Sequence, residues 1–184
     1  MVFLMKIAIV GDKGVGKRKF LENLYDSSLE LYDTHGFHNV LTVRNLEDRI
    51  VRFQLWIINP ENEFYSKRPT YYIGSLGAII IFDVNRKETF NSVDNWIHEI
   101  WRGAGNDIPI VLLGNNNLDE ISSIENKIKV NFYIKKLMIK EKEGIITLKY
   151  IENLVDDTKG FEEALEYLAL QYFYNFERKR KITH

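Results

Sequence analysis

The chain has 184 residues, 45% of them hydrophobic and 28% charged, which is ordinary for a single globular domain with a full core. Its formal net charge of −1 gives no overall electrostatic reason to bind nucleic acid or a membrane surface. Because the sequence contains no cysteine, disulfides, thiol nucleophiles and lipidation on cysteine are excluded.

The N-terminal apolar run, Phe3 to Val10, predicts a short buried strand, since it is too short to span a bilayer and contains Lys6. A helix is predicted from Lys17 to Tyr25. Between them the sequence fits G-x-x-x-x-G-K, a loop that directs backbone N–H groups at a phosphate from a helix N-terminus. The candidate phosphate-binding residues are Gly11, Asp12, Lys13, Gly14, Val15, Gly16 and Lys17. Arg18 stands where this motif has a Ser or Thr hydroxyl that holds Mg²⁺.

Strand and helix patterns alternate along the rest of the chain, which predicts a mostly parallel sheet with helices on both faces. No linker or repeat interrupts the pattern, so one domain is predicted over residues 1–176, followed by a short basic tail over 177–184. The predicted elements are a hairpin (Asn39–Leu46 and Arg49–Ile58), a surface loop with a short helix (Asn59–Tyr72), strands (Gly77–Asp83, Ile108–Leu113 and Ile145–Ile151) and helices (Thr89–Trp101, Lys127–Lys142 and Phe161–Phe176).

Several short segments, in this order and spacing, resemble motifs of the Ras superfamily of small GTPases, most closely those of the Rab branch. They are Thr34-His35-Gly36, Thr70-Tyr71-Tyr72-Ile73-Gly74, Phe82-Asp83-Val84 with Glu88-Thr89-Phe90 and Trp96-Ile97, and Tyr150-Ile151-Glu152 with Glu162-Glu163-Ala164. The resemblance implies a P-loop NTPase G domain: an α/β fold with a six-stranded mixed, mostly parallel sheet and helices on both faces. It also implies that the strand Asn39–Leu46 is the antiparallel member, and that the role lies in vesicle traffic or small-GTPase signalling.

The resemblance also shows what the hydrolytic site has lost. The family segment W-D-T-A-G-Q-E aligns with residues 56–62, so Ile57 replaces the carboxylate that supports Mg²⁺. Pro60 replaces a glycine whose N–H contacts the γ-phosphate, and proline has no N–H. Glu61 replaces the glutamine that orients water, and its charge repels a triphosphate. Little or no hydrolysis is therefore expected, and Glu61 is the only catalytic candidate.

Two residues near the expected Mg²⁺ position, Thr34 and Arg18, each have two possible roles. Thr34 resembles the switch threonine that completes the Mg²⁺ shell, or it is an ordinary loop threonine. Arg18 either pairs with a phosphate directly or fills the metal position and opposes nucleotide binding. With Arg18 and Ile57 in place, bound Mg²⁺ is not expected.

The base-binding motifs are altered too. The N-K-x-D motif aligns with residues 115–118: Asn115 is kept, Asn116 replaces the lysine, and Leu118 replaces the aspartate that accepts guanine N–H groups. Asp119, one residue later, could serve if the loop shifts register. The S-A-K loop reads Leu154-Val155-Asp156. GTP or GDP is therefore expected to be absent or weakly bound.

The first functional hypothesis is a pseudo-GTPase that acts as a protein-interaction module, with a partner surface on the switch and hairpin residues Phe53, Trp56, Phe64 and Tyr65. These rings are anchor candidates if they are exposed and core residues if they are buried. The alternatives are a slow GTPase and a nucleotide-binding protein that does not hydrolyse, both of which use Lys17 with non-standard ligands. A cytoplasmic location is expected, peripheral to membranes through a partner or the basic C-terminal residues, with no stable anchor in this chain.

Overall fold

The computed structural model describes residues 2–19, 36–116, 133–135, 147–154 and 158–182. Several sequence predictions lie outside the described residues and stay predictions. They are the body of the helix after Lys17, Thr34, the segment Asn117 to Asp119, most of the helix over 127–142, and Val155 with Asp156.

The described strands form one six-stranded sheet in the order β2-β3-β1-β4-β5-β6. β2 runs antiparallel to β3, and the other neighbours are parallel, so the predicted mixed, mostly parallel sheet is confirmed. The strands are β1 (Val2–Val10), β2 (Phe37–Leu46), β3 (Arg49–Ile58), β4 (Gly77–Asp83), β5 (Ile110–Asn116) and β6 (Leu148–Leu154).

The strand predictions are close at the start of the chain and shifted near its end. β3 and β4 have the predicted bounds, and β2 and β3 are joined by a tight turn in which Glu47 has φ 53°. β5 begins at Ile110 because Pro109 has no N–H for the ladder, and the prediction from Ile108 was wrong at that end. β6 pairs with β5 from Ile110 onward, so it lies three residues later than the predicted strand.

The helices whose bounds the structure gives are α1 (Arg68–Tyr72), α2 (Lys87–Asn91), α3 (Val93–Ala104) and α4 (Lys159–Ile182), with a 3₁₀ turn over Asn62–Phe64. Residues 17–19 and 133–135 are also helical. The helix predicted over Thr89–Trp101 is therefore two helices that meet at Ser92. The Ser92 hydroxyl donates to the Glu88 carbonyl at 3.1 Å, a local bond that competes with the regular helix ladder. α4 continues through Ile182, beyond the predicted helix end at Phe176.

Each face of the sheet carries its own apolar core, as the prediction of helices on both faces requires. On one face α4 packs Phe161, Leu165 and Leu168 against the strands, and all three are buried. On the other face α3 packs Trp96 and Ile100 against the sheet. No described helix is long and apolar enough to cross a bilayer.

The segment Asn59–Tyr72 is more buried than a surface loop. Arg68 is 5% exposed and Tyr72 is fully buried. The segment folds inward because these two residues bond to a carboxylate on α3, described below. The prediction of a surface loop was therefore wrong for its second half, although the short helix is present as α1.

Candidate functional site: a phosphate loop and the segments around it

Two glycines of the phosphate loop, Gly11 and Gly16, lie where no side chain fits. A Cβ on Gly11 would stand 2.0 Å from the Ile81 carbonyl oxygen, and one on Gly16 would stand 2.7 Å from the Asn115 amide nitrogen. Gly11, Gly14 and Gly16 all have positive φ values, 138°, 76° and 92°. The backbone therefore has the tight curvature predicted for an anion cradle between the end of β1 and the helix that begins at Lys17.

Lys17 lies folded over the loop. Its ammonium donates to the Gly11 carbonyl and, at 2.7 Å, to the Asp12 carbonyl. Burial lowers the pKa of Lys17 to about 8, with the Asp12 and Glu61 carboxylates opposing the shift and Arg86 adding to it. A phosphate placed in the loop would supply the compensating negative charge that the buried ammonium lacks.

Two side chains hold the loop from outside. The amide of Asn115, a predicted site residue, is 2% exposed and donates to the Val15 carbonyl at 2.7 Å. The Trp96 indole donates to the Asp12 carboxylate at 2.8 Å. Asn115 was identified from its motif, but the contact of Trp96 was not, because 84 residues separate it from Asp12.

Arg86 is a second residue that sequence reasoning missed. Its guanidinium donates to the Asp83 carboxylate at 2.9 Å and to the Lys13 carbonyl at 3.2 Å. The same guanidinium lies 3.6 Å from the position of a Cβ on Gly14. A cation therefore covers the outer side of the phosphate loop, and only the order of the strands brings it there.

The two positions that would support Mg²⁺ offer no oxygen ligand. The Arg18 side chain is exposed, in the first turn of the helix. Ile57 is 5% exposed and belongs to the apolar core beneath the sheet. Mg²⁺ is bound through oxygen atoms, so these residues do not fit a magnesium ion. Thr34, the other predicted metal contact, lies outside the described residues.

Hydrogen bonds and an ion pair hold the segment after β3 in place. The Glu61 backbone N–H donates to the Asn59 side chain at 2.9 Å, and the Asn59 N–H donates to the Gly36 carbonyl at 2.9 Å. The Glu61 carboxylate accepts from the Lys13 ammonium at 2.7 Å. Glu61, at the position of the water-orienting glutamine, is therefore engaged with the phosphate loop.

A buried ion pair anchors this segment to α3. The Arg68 guanidinium donates to both oxygens of Glu99, at 2.8 and 2.9 Å, and to the Pro60 carbonyl at 2.8 Å. The Tyr72 hydroxyl donates to Glu99 at 2.6 Å. Burial raises the pKa of Tyr72, with a further contribution from its bond to Glu99. The position of Pro60 is thus set by a network that involves no ligand.

Around Asn115 and Asn116, where the resemblance places the guanine base, polar side chains hydrogen-bond to one another. Asn116 donates to the Glu152 carboxylate at 3.3 Å and accepts from the Asn85 amide at 3.5 Å. Asn153 donates to Asn115 at 3.4 Å and accepts from the Gly160 N–H at 3.1 Å. Leu118 and Asp119 lie outside the described residues, so the acceptor for a guanine remains a prediction.

The predicted partner surface needs correction. Phe53 is fully buried and Phe64 is 9% exposed, so both belong to the interior. The Phe64 ring lies directly against Gly36, since a Cβ on Gly36 would be 2.5 Å from the ring. Tyr65 is 54% exposed and Trp56 is partly buried, so these two stay surface candidates. The alternation of side chains along β3 already implied that Phe53 and Trp56 could not both be on the surface, because residues 53 and 56 point to opposite faces of the sheet.

An aromatic cluster that sequence reasoning missed surrounds Trp56. The Phe37 ring stacks on Trp56 with centroids 4.2 Å apart and contacts Tyr71 at 4.9 Å. The Lys6 ammonium lies 3.7 Å from the centroid of the Trp56 ring and donates to the Ile73 carbonyl at 2.8 Å. We call Phe37, Trp56 and Tyr71 the aromatic cluster; it joins β2, β3 and α1 beside the phosphate loop.

Comparison with known proteins finds one family and several similar proteins that belong to it. Residues 6–173 match the Ras family. Ras-related protein Rab-11A of Dictyostelium discoideum is 28% identical over 187 aligned residues, which cover 98% of this chain and 81% of that protein. RABA2a of Arabidopsis thaliana is 28% identical over 184 residues, covering 98% and 80%. RABA1c of the same plant is 26% identical over 154 residues, covering 82% and 71%.

The family match extends over nearly the whole sheet and includes the phosphate loop, so fold and sequence agree. The similar proteins named above are Ras-related proteins of the Rab11 and RabA type. The chain belongs to the Ras family of small GTPases, with Rab-like homologues.

Proposed function

We propose that this protein is a Rab-like pseudo-GTPase: a protein-interaction module in vesicle traffic or small-GTPase signalling with little or no GTP hydrolysis. One observation carries the proposal. The segment that would sense a γ-phosphate is held by the buried Arg68–Glu99 ion pair, which also fixes the Pro60 carbonyl at 2.8 Å. A segment fixed by protein groups has no need of a phosphate to order it.

The substitutions around that segment support the same conclusion. Pro60 has no N–H to donate to a γ-phosphate, and Ile57 is a core side chain where a carboxylate would support the metal. Glu61 carries negative charge at the position of the water-orienting group and pairs with Lys13. In small GTPases, hydrolysis depends on positioning and charge stabilisation by these groups.

Binding to protein partners is supported by the surface beside the phosphate loop. The aromatic cluster and the exposed Tyr65 give several large rings within one region, and such rings are frequent anchors in protein interfaces.

A second candidate function is binding of a nucleotide without hydrolysis. The observation that favours it is the conformation of the loop itself: the glycine φ values and the buried Lys17 ammonium suit a phosphate. In this case the phosphates would be held by Lys17 and other cations without Mg²⁺. Weak selectivity for guanine is expected, because Asn116 is bonded to Glu152 and Asn85.

Nucleotide content separates the two candidates. The purified chain is denatured, and released nucleotide is quantified by ion-exchange chromatography for preparations with and without Mg²⁺. Far less than one nucleotide per chain is expected. Stoichiometric GDP or GTP would contradict a module that works without nucleotide and would favour the second candidate.

Hydrolysis is tested separately by single-turnover release of phosphate from GTP. We expect no rate above that in buffer, and Glu61→Gln is expected to give none either, because Pro60 and Ile57 remain. Release that Lys17→Ala abolishes would overturn the proposal, since it would show chemistry in this loop.

A further inference from the structure

We infer that the open face of the sheet beyond the aromatic cluster is a docking surface for an acidic amphipathic helix of a protein partner. The inference rests on the proposed function only in that the domain acts by binding protein. Its surface is built by β1, β2 and β3 at the end of the sheet away from the phosphate loop. We call the residues Val2, Leu4, Leu41, Val43, Ile50 and Arg52 the open sheet face.

The strand register places these residues side by side. Leu4 pairs with Arg52, and Arg52 pairs with Val43, so one row crosses all three strands. Val2 pairs with Ile50 in the next row towards the hairpin turn. Because side chains of paired residues point to the same face of a sheet, they form one continuous surface.

The apolar members of this surface are unusually exposed. Leu4 is 62% exposed, Leu41 60%, Val2 54% and Val43 53%. Single exposed apolar residues need no explanation, but a contiguous group on a soluble protein marks an interaction site. On the same face of the sheet, nearer the phosphate loop, Ala8 and Val10 belong to the apolar core that includes Trp96 and Ile100 of α3. A helix docked on the open sheet face would continue this layer.

The size of the surface also suits a helix. From residue 50 to residue 54 a strand advances about 13 Å, and three strands span about 10 Å between the outer two. A helix is about 10 Å wide and rises about 5.4 Å per turn, so two to three turns would cover the surface.

The positive charges on the open sheet face indicate that the partner is acidic. Arg52 lies in the middle row between Leu4 and Val43, its side chain is exposed, and no described residue forms an ion pair with it. Lys6 lies in the next row towards the phosphate loop and is the second cation of this region. The three rows of paired positions contain no acidic residue: Val2, Ile50 and Asn45; Leu4, Arg52 and Val43; Lys6, Gln54 and Leu41. A partner with carboxylates beside its apolar stripe would complement this pattern.

Two other occupants fit less well. A second copy of the chain related by a twofold axis would present the same surface, so the two Arg52 cations would face each other. An anionic membrane gains only about 1 kcal/mol per basic residue. Since Lys6 is already bonded to Ile73 and stacked on Trp56, too little charge remains for stable adsorption.

The probes are two designed helical peptides of about 18 residues. Both carry leucines at i, i+3, i+4 and i+7, one with glutamate and the other with lysine beside the stripe. Binding to the intact chain is followed by fluorescence anisotropy at low and high salt. We expect the glutamate peptide to bind about threefold to fivefold tighter at low salt, the upper part of the range given by an exposed ion pair.

The decisive variant is Arg52→Glu, which should reverse the preference towards the lysine peptide. Leu4→Ser should weaken both peptides. Tyr174→Ser is the matched control, because Tyr174 is 62% exposed on α4 and lies outside the open sheet face, and it should change neither. All three positions are exposed, so the fold should tolerate the substitutions.

Several results would overturn the inference: no binding of either peptide, equal affinities at low salt, or a preference that Arg52→Glu leaves unchanged. Adsorption to vesicles containing anionic lipid, or dimerisation that Leu4→Ser abolishes, would instead assign the surface to a membrane or to a second copy. Nucleotide content is measured on the same preparation, so failure here is distinguishable from failure of the proposed function.

Discussion

The Arg68 guanidinium and the Glu99 carboxylate form a two-bonded ion pair in the interior, with N–O distances of 2.8 and 2.9 Å. Both side chains are at least nine-tenths buried. The pair joins the segment after β3 to α3, and the same guanidinium lies over the Tyr65 and Trp96 rings at about 5 Å. Through the bond of Arg68 to the Pro60 carbonyl, the pair holds the segment around Pro60 against α3.

Removing one member of this pair should therefore be costly. Arg68→Ala leaves the Glu99 carboxylate buried without its cation, and we expect a loss of about 3–5 kcal/mol in the free energy of unfolding. The measurement is urea denaturation followed by circular dichroism. Lys13→Ala is the matched control: it breaks the exposed, solvent-screened pair with Glu61 and should leave the free energy of unfolding almost unchanged. Equal costs for the two variants would contradict a structural role of the buried pair.

The second prediction concerns the close approach of Gly16 to Asn115. Gly16→Ala places a Cβ 2.7 Å from the Asn115 amide nitrogen, so the bond from Asn115 to the Val15 carbonyl must shift. Gly74→Ala is the control, since Gly74 also has a positive φ, 76°, but nothing lies within 4 Å of its Cβ position. We expect the Gly16 variant to lose about 1–3 kcal/mol more than the control. A double mutant with Asn115→Ala should recover part of that difference.

The third prediction follows from the buried ammonium of Lys17. Its pKa is lowered to about 8 in the folded chain, against 10.5 in the unfolded chain. Between these values the unfolded state binds more protons, so the contribution of Lys17 to stability rises with pH from about 8 to about 10.5.

Lys17→Met removes this titration. The stability of the wild type minus that of Lys17→Met should therefore increase between pH 7.5 and pH 9.5, as measured by urea midpoints at each pH. Taking the difference cancels the raised pKa values of Tyr72 and Tyr150, which both variants share. A flat or falling difference would show that the ammonium is not held in a desolvated position.

The fourth prediction concerns magnesium. A cation present at about 100 times its Kd adds about 2.7 kcal/mol to stability, which raises Tm by about 5–10 °C for a chain of this size. We expect the thermal midpoint in Mg²⁺ and in EDTA to agree, with or without GDP, because Arg18 and Ile57 offer no oxygen ligand. An upward shift in Mg²⁺ that requires GDP would point to oxygen ligands elsewhere, with Thr34 the first to substitute.

The sequence was most informative where the pattern is local. The alternation of β3, the continuous apolar run of β4 and the glycines of the phosphate loop each depend on neighbouring residues, and the structure has them with the predicted bounds or geometry. Asn115 was identified from a short motif, and its amide bonds to the Val15 carbonyl of the phosphate loop. Its part in binding a nucleotide stays a prediction.

The prediction failed where the contact partners are far apart in the chain. Arg68 meets Glu99 across 31 residues and Trp96 meets Asp12 across 84, so no window of sequence contains both partners. Phe53 and Phe64 were anchor candidates only if exposed, and the structure buries both, because hydrophobicity alone does not tell which face of a sheet is covered. Helix bounds were missed at Ser92 and past Phe176 for a related reason, because local bonds and packing on the sheet decide where a helix ends.

The sequence by itself determined the family and the order of strands and helices, and it predicts departures from the family pattern at Arg18, Ile57, Pro60 and Glu61. Those features are covalent facts or short-range periodicities. Only the tertiary structure decided that Arg68 locks the segment after β3, that Arg86 covers the phosphate loop, and that an apolar face remains open around Arg52. Each of these depends on which strands and helices lie side by side, and that arrangement is set by burying the two cores of the sheet.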